Sequence, residues 1–154
     1  MEHRRIGIVV AVYNRPEELE ELLASLLRQS TTDFCVVVVE DGSTRPSDEV
    51  CARYASSLTL VYLKQENTGP ALARNHGVAA LGQSTDYILF VDSDCTLPPH
   101  YLASAEAWLD AHPEVDLWGG PDAWDENFTP IQKAISYAMT SPYSTGGIRG
   151  GGER

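Results

Sequence analysis

Four consecutive valines, Val36 to Val39, constrain the fold of this chain more than any other feature. β-branched side chains favour extended backbone, and a run that is apolar at every position has no face to turn to water. Such a run suits a parallel strand whose sheet is covered by helices on both sides. Cys35 to Val39 therefore reads as a central strand. Ile6 to Val12, Leu58 to Leu63 and Tyr87 to Val91 are further apolar runs of strand length, and Val115 to Trp118 is a shorter candidate.

Amphipathic segments separate these runs. Leu19, Leu22, Leu23, Leu26 and Leu27 follow the i, i+3, i+4, i+7, i+8 spacing of a core-facing helix stripe. Asn14 is the expected cap of that helix, with Glu17 as its box partner. Further helices are expected over Ser47–Ser57, Pro70–Leu81 and Pro99–Ala111. The last candidate opens with Thr129-Pro130-Ile131-Gln132, a capping box with proline in the first turn, and carries the stripe Ile131, Ala134, Ile135, Ala138 and Met139. Strands alternating with helices imply right-handed βαβ crossovers. The expected fold class is thus α/β, a mostly parallel Rossmann-like sheet with helices on both faces. The domain is read as residues 1–140, followed by a glycine-rich, flexible tail over 141–154.

Charge narrows the partners. With 22 acidic against 11 basic residues the formal charge is −11, and that field repels a nucleic-acid backbone. A small phosphorylated ligand is still compatible, because one cation or metal ion reverses the field inside a cleft. Cys35, Cys51 and Cys95 are odd in number and form no CxxC pair, which fits a reducing, cytoplasmic setting better than a disulfide framework or a zinc knuckle. No apolar run approaches the roughly 20 residues that span a bilayer.

In open α/β sheets ligands bind beyond the carboxyl ends of the strands, near the switch in strand order. The residues at those points are Tyr13-Asn14-Arg15, Glu40-Asp41-Gly42-Ser43, Asn67-Thr68-Gly69-Pro70 and Asp92-Ser93-Asp94. Polar or acidic residues at all four make a convergent site. The i, i+2 pair Asp92 and Asp94 suits a hard cation with oxygen ligands, though a capped turn accounts for it equally. Asp41 can accept a hydrogen bond from a ring N–H of a base, or simply shape a turn with Gly42. Arg74, near the start of a helix, can face a diphosphate or lie on a solvated surface. Tyr13 can stack on a base or pack. No glycine-rich dinucleotide fingerprint, P-loop or nucleophile elbow is present.

In order, Val9-Val10-Ala11-Val12-Tyr13-Asn14-Arg15, Val38-Val39-Glu40-Asp41-Gly42-Ser43-Thr44, Asn67-Thr68-Gly69-Pro70-Ala71-Leu72-Ala73-Arg74-Asn75 and Phe90-Val91-Asp92-Ser93-Asp94 strongly resemble family-2 inverting glycosyltransferases of the GT-A fold. The resemblance covers about residues 6–122. It implies a nucleotide-diphosphosugar donor, usually a UDP-sugar, and Mn²⁺ or Mg²⁺. It also implies an acceptor hydroxyl on a glycan, a lipid-linked sugar or a small molecule. By position Ala11, Tyr13 and Asp41 resemble the base-binding set, and Arg74 the residue near base and phosphates. Asp92 resembles the residue near the ribose and metal shell, and Asp94 the direct metal ligand. Trp118, Gly120, Pro121 and Asp122 resemble the segment beneath donor sugar and acceptor.

The Glu-Asp motif that carries the family's general base has no counterpart after Asp122, where the acids are Asp125, Glu126 and Glu153. The base is therefore expected outside this chain, and the chain is expected to be the donor-binding part of a longer transferase. Membrane association would then come through a C-terminal region. Robust sugar transfer by the 154-residue chain alone would refute that expectation. Two rival readings are a sugar-phosphate nucleotidyltransferase and a noncatalytic nucleotide-binding or interaction module. Ile6 to Arg15 lacks the glycine-rich run with following Arg and Lys that the first of these rivals needs.

Overall fold

The computed structural model describes residues 2–119, 129–131, 133, 134 and 137. Residues 1–111 and 112–154 are separate compact units. In the first, the strands are β1 (Arg4–Val12), β2 (Phe34–Asp41), β3 (Leu60–Gln65) and β4 (Thr85–Phe90). They form one sheet in the order β3-β2-β1-β4, with all neighbours parallel. β2, which holds the valines, is buried at every position. Its neighbours are in register, Val10 with Val38 and Val38 with Tyr62.

The helices are α1 (Pro16–Leu27), α2 (Asp48–Tyr54), α3 (Pro70–Leu81) and α4 (Tyr101–Ala111). Alternation along the strands divides the core into two layers. Ile6, Ile8, Val10, Val36 and Val38 face Leu19, Leu22, Leu23 and Leu26 of α1, Val50 of α2 and Leu102 of α4. Val9, Cys35, Val37 and Val39 face Ala73 and Leu81 of α3. The chain moves from β1 outward to β3 and then returns past β1 to β4. That reversal carries α3 to the opposite face, as right-handed crossovers require.

Several expected boundaries shift for local reasons. Asn14 does not cap α1; Arg15 occupies the cap position without a side-chain bond to the helix's first turn, and Pro16 starts the helix. Asn14 instead adopts φ 56° and turns its side chain to another loop. The helix expected from Pro99 begins at Tyr101, because the Pro99 carbonyl accepts a bond from Ser30 N–H at 2.8 Å. Gln29 completes that start: its Nε2 donates to the Pro98 carbonyl at 2.8 Å and its Oε1 accepts from Leu102 N–H at 3.1 Å. The strand expected over Val115–Trp118 does not form; the segment is bend and coil, and Leu117 is 88% exposed. The helix expected after Thr129 is present at Pro130, Ile131, Lys133, Ala134 and Tyr137. Its other stripe residues and the 141–154 tail lie outside the described residues.

The three thiols differ sharply. Cys35 and Cys51 are buried and Cys95 is exposed. Burial pushes the Cys51 thiol up to about 12, helped by the nearby Glu40 and Asp48 carboxylates. Burial also raises Cys35. Since the thiolate is the nucleophile, native alkylation at pH 8 is expected to modify Cys95 alone. Mass spectrometry should show a single addition, with the other two sites reacting only after denaturation. Fast modification of Cys51 in the folded chain would contradict this packing.

Candidate functional site

Because the four strands run parallel, their carboxyl ends share one edge, where the β1–α1, β2–α2 and β3–α3 loops and the segment after β4 emerge. The strand order reverses between β1 and β4, so the switch point lies between Val12 and Phe90.

Alternation sends neighbouring carboxylates of β2 to opposite faces. Glu40, 2% exposed, goes to the α2 side. There it accepts bonds from the Ser43 hydroxyl, from Ser47 N–H at 2.7 Å and from the Tyr62 hydroxyl at 3.0 Å. It thereby fastens the β2–α2 loop. Ser43 Oγ in turn accepts from Asn14 N–H at 2.7 Å, while Asn14 Oδ1 accepts from Thr44 N–H at 2.8 Å and Arg45 N–H at 2.9 Å. The loops after β1 and β2 are thus tied to each other.

Asp41, 4% exposed, goes to the α3 side. Its Oδ1 accepts from Gln65 Nε2 at 2.8 Å and Thr68 N–H at 2.9 Å, and its Oδ2 from Gly69 N–H at 2.8 Å. Burial alone raises a carboxyl group, but the Thr68, Gln65 and Gly69 donors outweigh it, and Asp41 sits below its ordinary value of 3.8. Asp41 is therefore an ionised acceptor at neutral pH. A carboxylate offers about four lone-pair positions; the Thr68 hydroxyl also reaches Oδ1, at 3.5 Å, whereas Oδ2 holds the Gly69 bond alone and keeps one position open. The next residue, Gly42, has φ +70° and an added Cβ would lie 2.5 Å from Asn67 N. Only glycine fits between the second and third loops.

Two arginines meet the acids after β4. Arg74 Nη2 donates to Asp92 Oδ1 at 2.7 Å, and Arg15 Nη1 donates to Asp94 Oδ2 at 2.5 Å. The latter bond spans the switch point. Both pairs are substantially solvated, and exposed pairs contribute only about 0–1 kcal/mol. Their consequence is placement: each carboxylate has a guanidinium beside it.

Of the expected site residues, Asp41, Arg74, Asp92 and Asp94 lie at this edge together. Ala11 is half-buried on the α3 face, in register with Val39, and Tyr13 is 49% exposed just beyond β1. Trp118 is half-buried in the 112–154 unit, and Gly120, Pro121 and Asp122 lie outside the described residues. Arg15 and Glu40 stand among the strand-end residues of the sequence reading without a role of their own, and Gln65 is absent from it. Gln65 lies two residues past the expected strand end at Leu63; β3 runs on to Gln65 and sets it in register with Asp41. A cavity of about 170 Å³ lined by Leu26, Gln29, Phe34, Leu58 and Thr59 is at the opposite, amino-terminal edge, away from where such sheets bind ligands.

Among the described residues no cluster of three or more His, Cys, Asp or Glu side chains is placed to hold a metal. Asp92 and Asp94 nevertheless suit in kind a hard cation that takes one or two carboxylates and completes its shell with water and ligand phosphates.

The sequence profile described as Glycosyl transferase family 2 matches residues 7–152. Glycosyltransferase GlyA of Streptococcus pneumoniae is 36% identical over 99 residues, 64% of this chain and 14% of that protein. Poly(ribitol-phosphate) beta-N-acetylglucosaminyltransferase TarS of Staphylococcus aureus is 35% identical over 112 residues, 70% of this chain and 19% of that protein. The chain thus spans a small part of the length of these relatives. Among solved structures, TarS 1–349 in complex with UDP-GlcNAc superposes with a TM-score of 0.67 at 29% identity, over 80% of this chain and 38% of that one. Mannosyltransferase PcManGT of Pyrobaculum calidifontis, in complex with GDP-Man and Mn²⁺, superposes with a TM-score of 0.62 at 28% identity, over 71% and 33%.

Proposed function

The chain belongs to glycosyl transferase family 2 and has a GT-A-like fold, and from that premise we propose that it forms the donor-binding side of an inverting transferase. The donor is a nucleotide-diphosphosugar, UDP-linked, and the acceptor is a hydroxyl of a glycan, a lipid-linked sugar or a small molecule. The observation that carries this reading is Asp41: an ionised carboxylate, fixed at the carboxyl edge by Gln65, Thr68 and Gly69, with one lone pair left on Oδ2. A ring N–H of uracil is the complement of that lone pair. The UDP-GlcNAc bound to TarS supports the choice of base and sugar nucleotide.

In this reading Ala11 and Tyr13 flank the base, the tyrosine offering an aromatic face. Arg74 turns its guanidinium to the diphosphate side while remaining beside Asp92, which faces the ribose. Asp94, with Asp92 as its helper, would hold Mn²⁺ or Mg²⁺, and Trp118, Gly120, Pro121 and Asp122 are assigned to the donor sugar and acceptor by their resemblance to the family. When bound, the cation stabilises the charge that develops on the departing diphosphate. The Mn²⁺ in the PcManGT complex supports a divalent ion. No residue of this chain is assigned as general base. The donor domain is taken as residues 1–140, and a cytoplasmic location belongs to the same proposal.

Calorimetric titration of UDP, with and without Mn²⁺, tests it. The wild-type chain is expected to bind more tightly with the metal, and Asp94→Ala to bind equally with and without it. An Asp94→Ala variant that kept the metal effect would remove Asp94 from the cation site. A wild-type chain without nucleotide affinity would favour a noncatalytic interaction module instead.

A further inference from the structure

Asp41 does not stand alone in its orientation. Behind it, Gln65 Nε2 uses both hydrogens, one to Asp41 Oδ1 at 2.8 Å and one to Thr68 Oγ1 at 2.7 Å. That arrangement fixes the carboxamide, because a flipped amide would press its oxygen against a carboxylate. The Gln65 oxygen therefore points away from Asp41, and His76 Nδ1 meets it at 2.9 Å. Since Oε1 can only accept, the hydrogen sits on Nδ1 of His76. Three elements supply this line of bonds: Asp41 ends β2, Gln65 ends β3 and His76 lies in the second turn of α3.

Resting on the base-acceptor role proposed above, we infer that Gln65 and His76 are positioning residues that determine nucleobase specificity. His76 orients the Gln65 amide, Gln65 occupies Asp41 Oδ1, and the open lone pair is thereby kept on Oδ2, aimed at a base carrying a ring N–H. Neither residue touches the ligand. Without them Asp41 retains its charge, its two backbone donors and the Thr68 hydroxyl, but Oδ1 loses its shortest bond and is free to compete with Oδ2 for the base, so the preference for a donor edge over an acceptor edge declines.

The chemistry of the bases supplies the probe, since uracil presents a donor at N3 where cytosine presents an acceptor. Ratios of UDP to CDP affinity are measured by calorimetry for the full chain and for Gln65→Leu, His76→Phe, His76→Asn and Asp41→Asn. Losing one hydrogen bond from the line, to the ionised Asp41 in Gln65→Leu and to the neutral Gln65 amide in His76→Phe, is expected to lower the ratio about three- to tenfold. His76→Asn, whose Nδ2–H can replace Nδ1–H, should keep the wild-type ratio; a merely structural role for His76 would not distinguish these two variants. Thermal unfolding of each variant separates loss of fold from loss of selectivity. If Asp41→Asn collapses the ratio while Gln65→Leu and His76→Phe keep it, the positioning role is overturned and the base-acceptor reading stands. If Asp41→Asn itself keeps the ratio, the base-acceptor reading falls.

Discussion

Replacing Asp41 with alanine is expected to weaken UDP binding about 10- to 100-fold, the loss of one hydrogen bond to a charged acceptor worth roughly 1.5–3 kcal/mol. The side chain also holds the third loop, through Thr68 N–H at 2.9 Å and Gly69 N–H at 2.8 Å. Removing it leaves those donors and Gln65 without their acceptor. Thr68 is exposed and Gly69 half-exposed, so water can reach both. The stability cost should therefore be about 1–2 kcal/mol, enough to lower the melting temperature without unfolding the chain. Binding should fall further than stability, and the comparison is decisive: equal UDP affinity in a folded Asp41→Ala chain would remove this residue from the ligand. Asp41→Asn, which keeps the volume, should retain more stability while still losing UDP affinity.

The second large effect concerns packing. Gly77 stands in the middle of α3, where alanine is intrinsically better by about 1 kcal/mol. The structure explains the glycine: an added Cβ would lie 2.5 Å from Val9 Cγ1 and 3.4 Å from Val39 Cγ2. Both valines are fully buried on adjacent central strands and cannot move aside. Overpacking such a site costs about 1–3 kcal/mol for added methylenes and outweighs the propensity gain. Gly77→Ala is therefore expected to lower the melting temperature, and Gly77→Leu to abolish cooperative unfolding and soluble yield. The consequences reach the site, because α3 carries Arg74 and His76 and follows the Gly69 N–H on Asp41. A Gly77→Ala chain that melted higher than wild type would show that α3 does not approach β1 this closely.

Much of this was legible in the residues because the signals are local and strong. A run without any polar position, Val36 to Val39, can only be a covered strand, and the leucine stripe of α1 has one helical face. Residues following such strands fall at one edge by topology, which is how Asp41, Arg74, Asp92 and Asp94 were found together. What escaped depends on longer range. Asn14 resembles a cap by type and spacing, yet its side chain satisfies Thr44 and Arg45 in another loop. Glu40 and Asp41 are neighbours of the same charge, and only the pleat sends one to Tyr62 and the other to Gln65. The bond between Arg15 and Asp94 joins residues 79 positions apart, and no local pattern encodes it. Val115–Trp118 has strand-like residues but no partner strand among the described residues, and propensity without pairing makes no sheet.

In the proposed function this edge reads a nucleobase through Asp41. Titration of the wild-type chain with UDP and, separately, CDP under identical Mn²⁺ concentration addresses it most directly. The two ligands share ribose and diphosphate and differ at the ring nitrogen that would face Oδ2. UDP is expected to bind at least about tenfold tighter, a difference of about 1.4 kcal/mol; indistinguishable affinities for the two nucleotides would rule out base reading by Asp41.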